Sequence, residues 1–168
     1  MAIDRRIFMT VSAIGVLALV GGAWARAPSG CYLGARLRRS TSQFVAVLAD
    51  GNGRTLKEIV LPGRGHAVVA RPGGQEAVAI ARLPGNFAVI FGLGVEECAR
   101  TFHTPPDRHF LGHAVYDAAG RHLLATENDF EGERGIIGIY DGNDSYRRIG
   151  ELSSYGVGPH ELVLMPDG

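Results

Sequence analysis

What this sequence lacks narrows it first. Its 168 residues include 2 cysteines, Cys31 and Cys98, in no Cys-x-x-Cys or Cys-x-x-Cys-His run. That excludes covalent attachment of a c-type haem. An excess of charge of one sign is missing too: 17 basic against 17 acidic side chains leave a net charge of zero. The composition therefore carries neither a nucleic-acid footprint nor a membrane-surface field. The Gly-x-Ser-x-Gly elbow, the Walker phosphate loop and the His-Glu-x-x-His pair are absent, and with them the chemistries those motifs serve. Past the first 27 residues no ten-residue stretch keeps a 3.6-residue apolar period, which excludes helix-pair repeats.

What is abundant is glycine, 24 residues clustered at turns between short apolar runs rich in Val and Ile. That is the pattern of an all-β chain of short strands. Residues 1–27 read instead as an export leader. Arg5 and Arg6 precede an uncharged apolar run from Ile7 to Ala25, and Ala25-Arg26-Ala27 offers a small-x-small cleavage site after Ala27. The paired arginines resemble a twin-arginine signal, an address read by a receptor. The alternatives are a single membrane-spanning helix or, less directly, a lipid anchor on Cys31. Cleavage predicts a periplasmic protein with no membrane attachment, in a compartment where Cys31 and Cys98 could pair.

The remainder repeats. Residues 113–152 hold four apolar runs separated by turn residues, the grammar of one four-stranded propeller blade. Gly65-His66-Ala67-Val68, Gly112-His113-Ala114-Val115 and Pro159-His160-Glu161-Leu162 superpose, with the histidines at intervals of 47 residues. The turns Pro72-Gly73-Gly74, Ala118-Ala119-Gly120 and Pro166-Asp167-Gly168 superpose with them. A period of 40–50 residues with four strands per unit is a propeller signature. The expected fold is all-β, a partial β-propeller of four-stranded antiparallel blades over about residues 28–62, 63–106 and 107–155, with a fourth opening at 156–168. The first blade, with strands at 32–37, 44–50 and 55–61, is expected to lack its innermost strand. Closed rings use roughly four to eight blades, so the expectation is the front part of a longer, seven-bladed chain, or three-blade chains that associate.

Gly63-Arg64-Gly65-His66, Arg108-His109-Phe110-Leu111-Gly112-His113, Thr126-Glu127-Asn128-Asp129, Gly135-Ile136-Ile137-Gly138-Ile139-Tyr140-Asp141 and Gly158-Pro159-His160-Glu161-Leu162 occur together. In that combination the sequence resembles the bacterial domain of unknown function family 1513, among the YVTN and quinoprotein-dehydrogenase-like propellers. The resemblance implies an exported seven-bladed propeller. It also implies an association with periplasmic iron acquisition, with a protein of an iron-uptake system as partner. The broader propeller class implies an alternative, a metal-dependent enzyme of quinoprotein-dehydrogenase or lactonase type. A third possibility is a truncated fragment without function.

Equivalent positions of successive blades lie on a ring about the propeller axis. His66, His113 and His160 are therefore candidates to converge on a metal ion, with His109 and Glu161 as neighbours. Imidazole with carboxylate suits iron, zinc or copper. The alternatives are blade-internal hydrogen bonds, as Gly-His pairs make in WD-type blades, and a general base. Arg64 and Arg108 flank the array and are candidate anion contacts. Thr126-Glu127-Asn128-Asp129, with Glu131 and Glu133, could take a hard cation or form a solvated turn. Arg36 to Arg39 and Arg147-Arg148 read as solvated strand ends.

Overall fold

In the computed structural model residues 30–94 and 99–166 are described, and they fold as three antiparallel sheets without a helix. The leader positions Arg5, Arg6 and Ala27, and also Cys98, lie outside the described residues. The first sheet has the order β1 (Tyr32–Arg38), β2 (Gln43–Ala49), β3 (Thr55–Val60). The second runs β4 (Gly65–Ala70), β5 (Glu76–Ala81), β6 (Phe87–Gly92), β7 (Ala99–His103). The third runs β8 (Arg108–Tyr116), β9 (His122–Asp129), β10 (Arg134–Asp141), β11 (Arg147–Ser153). Each sheet is an up-and-down meander, and β1, β4 and β8 pack side by side along one line. These are blades of a β-propeller.

The turns form where the sequence supplies their chemistry. Asp50 Oδ1 accepts the amides of Asn52 and Arg54 at 3.0 and 2.9 Å, and Gly53 takes φ +80°. Gly73 and Gly120, aligned in the repeat, both take positive φ at the hairpins that leave β4 and β8. Each allows the left-handed residue that a tight hairpin needs. β8 alternates buried and half-buried positions along its last seven residues, the period-two signature of a strand with one inward face. β5 is buried from Ala77 to Ala81 because sheets cover both of its faces.

Aromatic side chains fill the wedge between the second and third blades. Phe102 stacks on Tyr146 at 5.2 Å and meets Phe110 edge-on at 6.1 Å. Their polar ends are satisfied inside the wedge, as buried tyrosines require. The Tyr116 and Tyr146 hydroxyls are 2.5 Å apart, and Tyr146 donates to Glu76 Oε1 at 2.8 Å. Arg71 completes the joint: it pairs with Glu76 and reaches across to the Gly120 and Gly142 carbonyls and the Asn143 side chain. Burial pushes the hydroxyl pKa values of Tyr116, Tyr140 and Tyr146 up, so all three stay protonated donors.

The expectation for the first blade is corrected. The first blade does not lack its innermost strand. β1 sits on the axial line beside β4, and a Cβ built on Gly65 would meet Ala35 Cβ at 3.0 Å, just as one built on Gly112 would meet His66 Cβ at 2.8 Å. Gly34-Ala35 therefore takes the place of Gly65-His66, and among the described residues what the first sheet lacks is an outer fourth strand. The interval of 31 residues from Ala35 to His66, against 47 in the full repeat, leaves no room for it. Residues 160–165, the expected opening of the next blade, carry no ladder among the described residues.

Thr126-Glu127-Asn128-Asp129 is not a solvated turn. It is the end of β9, and Glu127 is 0% exposed. Tyr140 donates to Glu127 Oε1 at 2.5 Å and Arg148 to Oε2 at 3.0 Å, with Arg108 at 3.8 Å. Removing this carboxylate leaves two guanidinium groups under-compensated in the wedge. Glu127→Ala should therefore cost about 3 kcal/mol of folding free energy, read from the urea midpoint at neutral pH. Arg36→Ala, which breaks an exposed pair with Glu58, should change it by less than about 1 kcal/mol.

Candidate functional site

The inner strands do not run straight past the axis. The β4–β5 register shifts between Gly65 and Val68, and the β8–β9 register shifts between Phe110 and Ala114. Both bulges fall on the histidine of the repeat. A bulge leaves its residue out of the ladder and re-aims the side chain, and here both rings turn toward the axis. Gly112 makes the approach possible. Its φ is +103°, and the His66 ring and Cβ occupy the space a side chain would need. His160 arrives by a different route. After β11 the chain is pinned to β10, with Gly135 donating to the Gly156 carbonyl at 2.8 Å and accepting from Ser154 N at 3.0 Å. Gly135 has no side chain to push Pro159 away, so the tail returns to the axis at residue 160.

The result is a three-imidazole array. His66 Nε2 and His113 Nε2 stand 3.0 Å apart, and one ligand nitrogen from each of His66, His113 and His160 lies within 4.8 Å of the others. Ring centroids are separated by 4.7 Å for His66–His113 and His113–His160, and by 6.3 Å for His66–His160. Nitrogens bound at about 2.1 Å to one ion stand about 3.0–3.4 Å apart for angles from 90° to tetrahedral. The first pair already meets this spacing. His160, exposed, brings a third nitrogen within 4.8 Å of the other two.

Electrostatics favours neutral rings. Burial first, then the charges of His113, Arg82, His160 and Arg64, hold His66 below its ordinary value of 6.5. Burial and His160 do the same for His113, against the opposing pull of Glu161. Only a neutral imidazole offers a lone pair to a metal, so the lowered pKa values of His66 and His113 favour their ligating form.

Of the residues singled out from sequence, the structure brings His66, His113 and His160 together, with Glu161 close enough to act on His113. His109 goes elsewhere, stacked on Phe130 at 4.7 Å. Arg108 is engaged by the carboxylates of Glu151, Glu127 and Asp107 and does not face the array. Arg64 stays beside it and lines a concave space of about 570 Å³ with His66 and Arg82. Arg82 was not singled out. Its Nη1 lies 3.4 Å from His66 Nδ1, and its backbone amide donates to the Arg64 carbonyl at 2.8 Å. The hairpin register, which pairs Gly65 with Ala81, is the signal that places it there.

Fold and site together define a propeller segment with an axial histidine array. Residues 59–168 match the family described as "Protein of unknown function (DUF1513)", and the chain belongs to that family. Comparison with curated proteins gives no match. Among solved structures, "Dihydro-heme d1 dehydrogenase NirN in complex with DHE" is similar, with a TM-score of 0.58 at 21% identity. The alignment covers 73% of this chain and 25% of that one, so the chain spans a minor part of its neighbour. At this identity the likeness establishes the propeller fold.

Two outcomes follow from the array. Gly112→Ala forces a left-handed alanine into the His66 ring and should cost roughly 2 kcal/mol or more, measured by thermal and urea unfolding. The depressed pKa values of His66 and His113 also set a pH dependence. Between 6.5 and the folded-state values the unfolded chain binds more protons than the fold, so this part of the stability is complete above pH 6.5 and declines as pH falls. The urea midpoint should therefore drop between pH 7.5 and 5.5, and His66→Ala/His113→Ala should reduce that drop.

Proposed function

We propose that this chain is an exported propeller that binds a first-row transition metal ion at its axial histidines, as an accessory of periplasmic iron acquisition rather than as a catalyst. The observation that carries the reading is the convergence of three imidazoles, one from each of three successive repeats, on a region 4.8 Å across. Blade-internal hydrogen bonding, the other use of a Gly-His pair, would turn each ring into its own sheet. Here His66 and His113 instead face each other across two blades. Imidazole donors suit iron, zinc and copper in their divalent states.

Export is supported by Arg5-Arg6, the apolar run and the cleavage pattern ending at Ala27. The link to iron uptake, and to a protein partner within it, is supported by the resemblance carried by the histidine-bearing motifs. The similar dehydrogenase is described in complex with DHE. That supports a propeller of this fold as a scaffold for a bound ligand without assigning the same ligand to this chain.

Titration with Co²⁺ under anaerobic, weakly coordinating conditions tests the metal reading. One equivalent should bind and give the visible bands of nitrogen ligation. His66→Ala and His113→Ala should each weaken binding at least tenfold, while His109→Ala should leave it unchanged. Cobalt uptake that ignores His113 would end the reading.

A further inference from the structure

The ring of histidines is open on one side. In the first blade the equivalent position is Ala35, so no fourth imidazole closes the array toward β1. That opening leads into the concave space of about 570 Å³, walled by Ala35, Leu37 and Phe44 and rimmed by Arg64, Arg82 and His66. Its size lies within the range of small-molecule sites. It combines apolar walls with convergent donors, as such sites do.

The charge in this space is unbalanced. Nine arginines of the described residues pair with carboxylates: 36, 38, 54, 71, 100, 108, 134, 147 and 148. Arg64 and Arg82 have no such partner among the described residues, although their backbones are hydrogen-bonded to each other and both line the same cavity. Arg39 and Arg121 also lack one, but they stand on exposed turns, outside the lining of this cavity. Two like charges directed into one concavity repel each other and are stabilised by an anion between them.

The same charges bear on the metal. A bare cation on His66 would sit one imidazole away from the Arg82 guanidinium, with three neutral rings to offset its charge. A metal that carries its own anionic ligands reverses the sign of that interaction. Three imidazoles also leave a six-coordinate ion with open positions, on the side where Ala35 leaves space.

We infer that the site takes the metal as its complex with a small polycarboxylate, the imidazoles ligating the ion and the remaining carboxylates seated on Arg64 and Arg82. Guanidinium and carboxylate match as bidentate forks, and carboxylate oxygens also ligate first-row ions. The inference rests on the metal reading above and adds the class of ligand. No bond other than the metal–ligand bonds is made or broken.

Isothermal titration with four probes tests it: Co²⁺ alone, citrate alone, the 1:1 Co²⁺–citrate complex and the 1:1 Co²⁺–pyrophosphate complex. Wild-type protein should bind the citrate complex at least tenfold more tightly than either component. Arg64→Gln/Arg82→Gln should lose that gain while binding Co²⁺ alone at least as tightly as wild type, because the opposing charges beside His66 are gone. Arg64→Lys/Arg82→Lys should keep part of it. Both positions are exposed, so the fold should survive, as circular dichroism will show. If citrate adds nothing or strips cobalt from the protein, the polycarboxylate inference fails and the metal reading stands on the cobalt data alone. If pyrophosphate gives the larger gain, the carboxylate assignment is overturned in favour of phosphate. If neither form of cobalt shows dependence on His113, both readings fall.

Discussion

The close approach of neighbouring inner strands is the constraint on which this structure turns. β1, β4 and β8 lie against one another only because Gly65 faces Ala35 and Gly112 faces His66 across the gaps. Any larger residue at either glycine would widen the angle between wedges. The imidazoles would then diverge, since their 3.0 Å meeting depends on the spacing of strands in different sheets. The bulges at His66 and His113 add the second half of the constraint: they free those residues from the ladder, and the narrow gap decides where the freed side chains go.

Away from the axis, the second and third blades are joined by chemistry that the first two do not share. The Tyr116–Tyr146–Glu76–Arg71 chain and the Glu127 cluster place buried hydroxyls, carboxylates and guanidinium groups between aromatic rings. Such networks are costly unless satisfied. Nearly all members find partners, and the Nε atoms of Arg108 and Arg148 remain without a hydrogen bond. The reward is a fixed relative placement of two sheets that otherwise meet through side chains. The first and second blades meet through smaller residues, among them Ala35, Ala46 and Leu61, and the cavity lies on that side.

Much of this was legible in the sequence, for definite reasons. A repeat of 47 residues with a histidine at a fixed phase predicts a ring of imidazoles in any radial fold, and the turns at Gly73 and Gly120 mark the hairpins. The first blade was misread because its histidine is an alanine: with Ala35 in that place, the alignment of Gly34-Ala35 with Gly65-His66 carried no visible marker. Arg108 was misplaced because adjacency in sequence to the array said nothing about which face of β8 its side chain takes. Arg108 and Phe110 share parity and turn into the wedge, and His109, on the other face, meets Phe130. Glu127 was read as a strand-end acid because its partners, Tyr140, Arg148 and Arg108, come from three other strands. No local pattern encodes a cross-sheet ion pair of that kind.

The replacement of histidine by alanine at position 35 has a consequence for symmetry. A histidine at position 35 would set a fourth imidazole beside His66 and leave the ion less room for ligands of its own. With that position reduced to a methyl group, the array is open toward β1. A guest must then be directional, with its metal toward the rings and its bulk toward β1. The repeat supplies the binding atoms, and its departure at Ala35 supplies the door.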